Sequence, residues 1–260
     1  LSAEATTLSL GSQHEASTAW LRVAQGASVR SGQSEVRSQS GGSAAVTLTG
    51  KDSSWSTAGH ALSVRAGGQS RMDIEAGARL STGISAVSAD GGTAAVSVSG
   101  PGSRWTLASV VDPSSPFAVL GGGYLWLQAI LGGNTSLTVQ DGGEVHATTV
   151  ALDAQGADSR VTLNLLGSAQ SGRGVLQTDW LVRGAEDVTL NLEGGVLRAS
   201  ADSATTAPSD PGELDRRFFL AGFDALTLGD QGVVFDTNGH NIAVGTALPR
   251  MPLSMPPATA

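Results

Sequence analysis

Residues 41–55 read GGSAAVTLTGKDSSW, and residues 91–105 read GGTAAVSVSGPGSRW. The offset is 50 throughout. Eight of the fifteen positions are identical: Gly41/Gly91, Gly42/Gly92, Ala44/Ala94, Ala45/Ala95, Val46/Val96, Gly50/Gly100, Ser53/Ser103 and Trp55/Trp105. Three more exchange Ser for Thr. Agreement of this kind over so short a window marks an internal repeat. Inside each copy, apolar and small polar residues alternate (Ala44, Val46, Leu48; Ala94, Val96, Val98), the period of a strand with one buried face.

A looser pattern surrounds these two units: a short alternating strand, a Gly turn, and another strand. It recurs as LRVAQGASVRSG (21–32), MDIEAGARLSTG (72–83), LTVQDGGEVHAT (137–148) and LNLEGGVLRAS (190–200). Gly accepts positive φ without steric cost, so Asp-Gly-Gly and Glu-Gly-Gly read as tight turns. No comparably long stretch carries helical i, i+3, i+4 spacing. An all-β chain results, and two architectures compete. A sandwich or barrel needs no repeat, whereas a solenoid repeats one supersecondary unit per coil. The 50-residue identity selects the solenoid, a parallel β-helix. At about 20 residues per coil, about 12 coils would stack to roughly 55–60 Å. Val46, Leu48, Val96, Val98, Leu137, Val139, Val161, Leu163, Leu190 and Leu192 are expected to point inward, since residues two apart share a face.

The solenoid is expected to span residues 1–248. Two segments lack the pattern and read as protruding loops: 108–124, with two prolines, and 199–217, small, polar and Pro-containing. Residues 249–260, with four prolines, read as a disordered tail or linker.

Composition agrees. Gly is 35 of 260 residues, about twice average usage, as a chain of short strands and turns needs. The net charge is −8, and its cations are 14 scattered Arg and the single Lys51. Nucleic acid is therefore not an expected partner, because phosphate recognition needs a basic patch. Absence of Cys removes disulfides, thiolate metal sites and thiol catalysis. No apolar run approaches the 18 or so residues of a membrane-spanning helix. The start, Leu1 to Leu10, lacks the basic and apolar regions of a signal peptide. The chain reads as a mature form or an excised fragment.

The unit AVSVSGPGSRWTLA (95–108) resembles the Gly-Ser-x-Trp repeats of bacterial autotransporter (type V secretion) passengers. LTVQDGGEVHA (137–147) is similar to the strand–turn–strand that follows this signature in the family. LTLGDQGVVFDTNGHNIAVG (226–245) resembles the family's Asp-Thr-Asn-Gly-His-Asn stretch. The resemblance covers roughly residues 20–248. It implies a right-handed single-stranded parallel β-helix, exported through the outer membrane to the cell surface. Anchoring would come from a C-terminal β-barrel absent from this chain. The function implied is a structural or adhesive virulence stalk, attaching to host-cell or sister-cell surface components through displayed loops. The alternative is a polysaccharide-active β-helix enzyme, a lyase or hydrolase.

No catalytic, metal-binding or cofactor-binding residue is assigned from sequence, and the chain is expected not to be an enzyme. His14, His60, His146 and His240 share no spacing, and the HExxH zinc motif is absent. Ser12 and Ser168 sit in Gly/Ser-rich turns without a GxSxG elbow. Asp141, Glu144, Asp153 and Asp158 lie close in sequence, and stacking could bring Asp141 and Asp158 together, as a lyase or hydrolase would require. The blander reading is solvated turn residues. Trp55 and Trp105 occupy equivalent positions. They read as packed, partly exposed shoulders over a turn, with stacking on sugar rings as the alternative. Asp236-Thr237-Asn238-Gly239 reads as a structural turn. Gly121-Gly122-Gly123 has neither the Lys nor the helix of a phosphate loop.

Overall fold

A computed structural model describes residues 7–12, 14, 16–108, 123–184, 187–207, 215–223 and 225–246. Strands dominate it and stack into three parallel sheets, each running through eight rungs. The chain is a parallel β-helix. Each rung visits the first, second and third sheet in turn. The first rung is Leu8–Ser12, Thr18–Val23 and Ser28–Arg30. Among the described residues, antiparallel pairing is confined to Gly172–Arg173 on the end of Arg160–Ser168 and to a bridge between Leu166 and Gly194.

Each rung consumes more chain than the sequence suggested. On the first sheet, Leu8 pairs with Ser34, Ser34 with Leu62, and Leu62 with Ser85. Three faces and three corners account for the extra length. Eight rungs replace the expected twelve, and the seven intervals between them span about 34 Å. The internal repeat covers two rungs, because Ser43 pairs with Gln69 and Gln69 in turn with Thr93.

All ten residues expected to face inward are buried, and they belong to one continuous core. On the second sheet Val46, Met72, Val96, Leu137, Leu163 and Leu190 stack in register, one per rung. Each aliphatic therefore packs against its counterpart one rung away, with Ser, Thr and Asn facing out.

The corners follow from the Gly-rich punctuation. Ala24–Ala27 closes with a hydrogen bond from Ala27 N–H to Ala24 O, with both central residues, Gln25 and Gly26, at positive φ. That is the primed turn whose twist suits β-strands. Glu75–Ala78, Ile130–Gly133 and Gln140–Gly143 repeat it. Asn238-Gly239 forms the same turn, closed by His240 N–H on Thr237 O.

The Gly-x-x-Ser-x-Trp signature has two mechanical roles. Its Ser is a staple: Ser53 Oγ accepts the Gly26 N–H of the preceding rung at 3.0 Å, and Ser103 Oγ accepts the Gly77 N–H at 2.9 Å. Its Trp is a core residue, contrary to the partial exposure expected. Trp55 and Trp105 are 1% and 0% exposed. They occupy the third sheet's inward column, which reads Val29, Trp55, Leu80, Trp105, Val145. Smaller aliphatics on alternate rungs make room for each indole. Trp55 Nε1 donates to Ser31 at 2.9 Å and Trp105 Nε1 to Thr82 at 3.0 Å. Each acceptor is tied to a second buried hydroxyl, Ser34 or Ser85 respectively. A buried indole N–H needs such a partner, and the repeat supplies it twice.

Candidate functional site

Most third-to-first-sheet corners are short: Ala147-Thr148 alone connects Glu144–His146 to Thr149–Gln155. Two are long. Residues 108–123 separate Arg104–Leu107 from Tyr124–Ile130, and residues 200–219 separate Val196–Ala199 from Leu220–Ala221. They overlap the segments expected as loops at 108–124 and 199–217, except that Tyr124 already opens a strand and the second connection runs on to 219. Both leave the same corner of the solenoid, in rungs four and seven, about 14 Å apart along the axis. Residues 109–122 and 208–214 lie outside the described residues, as does the tail expected at 249–260.

The roots of both insertions are described. The first closes on itself: a Cβ added to Gly123 would collide with the Leu107 carbonyl, so the two ends touch. The second is partly built into the solenoid. Ala199 is a buried strand residue, not loop. Asp202 accepts from Asn241 N–H at 2.9 Å and contacts His240 Nδ1 at 3.1 Å. Ala204 N–H donates to Arg216 O at 2.8 Å, which brings the chain together just before the outer residues. Arg216 lies 4.6 Å above the Trp180 ring, and Arg217 pairs with Asp215.

Between the two roots is a shallow cleft of about 220 Å³, lined by Leu107, His146, Thr148, Gln177, Asp179 and Ser200. Third-sheet register builds its wall: Thr106, His146, Gln177, Arg198 and Asp236 are successive partners, one per rung, on the outward side. Glu144 organises one end, accepting from Arg104 Nη2 at 2.5 Å and lying 3.0 Å from His146 Nε2. A carboxylate only accepts, so Nε2 carries the hydrogen and a neutral imidazole keeps Nδ1 as a bare acceptor. Half-burial, then the nearby Arg104 guanidinium, hold the His146 imidazole below its ordinary pKa, outweighing the upward pull of Glu144. Asp179 accepts from Ser200 Oγ at 2.5 Å. Arg198 is paired to Asp236 at 2.7 Å. The Gln177 carboxamide has no hydrogen-bond partner among the described residues, so its donors and acceptor are open to solvent or ligand.

Of the four histidines, only His146 lines this cleft. His240 contacts Asp202, while His14 and His60 sit at turns on other rungs. The four carboxylates do not converge. Asp141 is at a second-to-third-sheet corner and Asp158 at a first-to-second-sheet corner. Glu144 is on the third sheet and Asp153 on the first. Among the described residues no three His, Asp or Glu side chains group as a metal site. Trp55 and Trp105 are inaccessible to a sugar. The exposed indole is Trp20, 73% exposed on the first rung. Gln177 and Asp179 escape sequence reading because their neighbours come from other rungs, and only the coil length brings position 177 beside position 146. No family model, curated protein or solved structure matches this chain.

Proposed function

We propose that the chain is a structural, non-enzymatic stalk of a bacterial surface protein of the autotransporter kind, holding the two insertions of one corner toward host-cell or sister-cell surfaces. The observation that supports this reading is the shared corner: a solenoid whose third-to-first-sheet connections are otherwise short lengthens that corner twice, three rungs apart. Long connections on a rigid scaffold are where proteins place contact residues, and two contacts at fixed spacing bind with avidity neither has alone. The dispersed carboxylates give no support to a polysaccharide lyase or hydrolase, which would gather its acids in one groove.

The test removes each insertion at its root. Deleting 109–122 joins ends already in contact. Deleting 205–215 and bridging Ala204 to Arg216 with Asn-Gly replaces the segment by a two-residue turn. In the full-length parent displayed on bacteria, both deletions are expected to preserve the β-sheet circular dichroism of the passenger. Both are expected to reduce attachment to host cells or autoaggregation, the double deletion most. Attachment and aggregation unchanged in the folded double deletion overturn the reading.

A further inference from the structure

We propose that the cleft between the two insertions is a saccharide subsite, taking one neutral sugar residue of a cell-surface glycan through Gln177, Asp179 and His146. The inference deepens the reading above and rests on it for the biological setting, though the binding itself does not depend on it.

The lining selects the ligand class. Its polar groups mix donors with acceptors and include an unpartnered carboxamide on Gln177. The carboxylate of Asp179 spends one hydrogen bond on Ser200, and His146 offers Nδ1 once Glu144 has taken Nε2–H. A carboxamide or carboxylate matches the vicinal hydroxyls of a pyranose, each of which donates and accepts. Leu107 and Ala147 supply a small apolar contact for a ring's C–H face. The volume, about 220 Å³, is below that of a drug-sized pocket and suits a single ring.

Charge excludes the acidic sugars. The two guanidiniums on this wall are committed, Arg104 to Glu144 and Arg198 to Asp236. Asp179 therefore faces the ligand without a free cation beside it, and a sialic acid or uronate would meet repulsion. An apolar peptide anchor is equally unsuited, because burying it here would strand Gln177 and Asp179 without water. The cleft also lies where an adhesive glycan would arrive, since the roots of both insertions, at Leu107 and Ser200, border it.

The test titrates the intact chain with the methyl glycosides of glucose, galactose, mannose, N-acetylglucosamine and N-acetylgalactosamine, and with methyl sialoside, by saturation-transfer NMR and calorimetry. At least one neutral glycoside is expected to bind in the millimolar range typical of a small shallow site, and the sialoside at least tenfold more weakly. Gln177→Ala removes a side chain with no structural partner. It is expected to leave the fold unchanged and weaken binding about tenfold, whereas Ser97→Ala on the second sheet changes nothing. Asp179→Asn is expected to narrow the difference between neutral glycoside and sialoside. The proposal is overturned if no neutral glycoside binds, if the sialoside binds as well, or if Gln177→Ala binds like the unmodified chain. Saccharide binding lost in Gln177→Ala with attachment insensitive to the insertions would sustain the subsite and sink the stalk reading. Insertion-dependent attachment without saccharide binding would do the reverse.

Discussion

Replacing Trp105 by Ala tests the account of the repeat most directly. The indole is wholly buried in the third sheet's inward column, between Leu80 and Val145 of the adjoining rungs. Large-to-small truncation of a buried Trp costs about 3–5 kcal/mol, because the cavity collapses only in part. In a solenoid that loss falls on the interfaces of rung four with rungs three and five, not on the whole stack. Trp105→Phe separates packing from hydrogen bonding. The phenyl ring keeps most of the burial but loses the donor, and Thr82 retains Ser85 as a partner. About 1–2 kcal/mol is expected. Thr82→Val instead leaves the indole N–H buried without an acceptor, at about 1–3 kcal/mol. The double variant should cost less than the sum, by about 0.5–1.5 kcal/mol. Urea unfolding followed by circular dichroism gives the totals, and amide exchange locates the weakened rungs. A cost below about 1 kcal/mol for Trp105→Ala, or strict additivity of the pair, refutes the claim that the signature Trp is a hydrogen-bonded core residue.

Further expectations follow from the corners and the cleft. Gly133→Ala would place a Cβ 2.6 Å from the Ala89 carbonyl of the preceding rung. It should destabilise by about 1–3 kcal/mol in urea titration. Leu131 holds φ +51° while 78% exposed, so Leu131→Gly should raise the thermal midpoint, by about 0.5–1 kcal/mol in free energy. Acid should destabilise the fold in two steps. His146 titrates below its ordinary value when folded, so below about pH 6.5 the unfolded chain takes up the proton first and stability falls. Asp236, held low mainly by Arg198, and Asp202, held low mainly by the Asn241 N–H, stabilise the fold above the ordinary carboxylate pKa. They lose that contribution as pH drops through their folded values. His146→Gln should abolish the upper step and keep the lower, as read from melting temperature against pH.

Period and identity carried the fold. Alternation from Val46 to Leu192 located one buried face without error, because a strand's side chains have no other period. The repeat offset announced a solenoid. Coil length is not legible, since a 50-residue repeat holds more than one coil without saying how many, and its two rungs are unlike in sequence. The Trp environment was missed for the same reason. The Val29 and Leu80 that make room for the indole of Trp55 each lie a whole rung away, one on either side. The two long connections are legible as breaks in the strand period, but their common corner depends on which sheet each preceding strand joins. Sequence weighed Asp141 with Asp158 and passed over Gln177, since proximity in sequence and proximity along the axis are different quantities in a coil.

The alternation of unlike rungs makes the inheritable module two rungs long. Removing residues 51–100 would set Trp105 over Val29 and bring Ser103 to the vacant Gly26 N–H, restoring every contact that Trp55 and Ser53 make there. Removing only 51–76 would set Leu80 over Val29 and leave Gly26 unstapled. The longer deletion should therefore leave the better-packed junction, although it removes one more rung; amide exchange around Gly26 and Val29 in the two shortened chains can check this. If it holds, this part of the rod lengthens or shortens cleanly in steps of about 10 Å, the rise of two rungs, and a one-rung change leaves a mismatched seam.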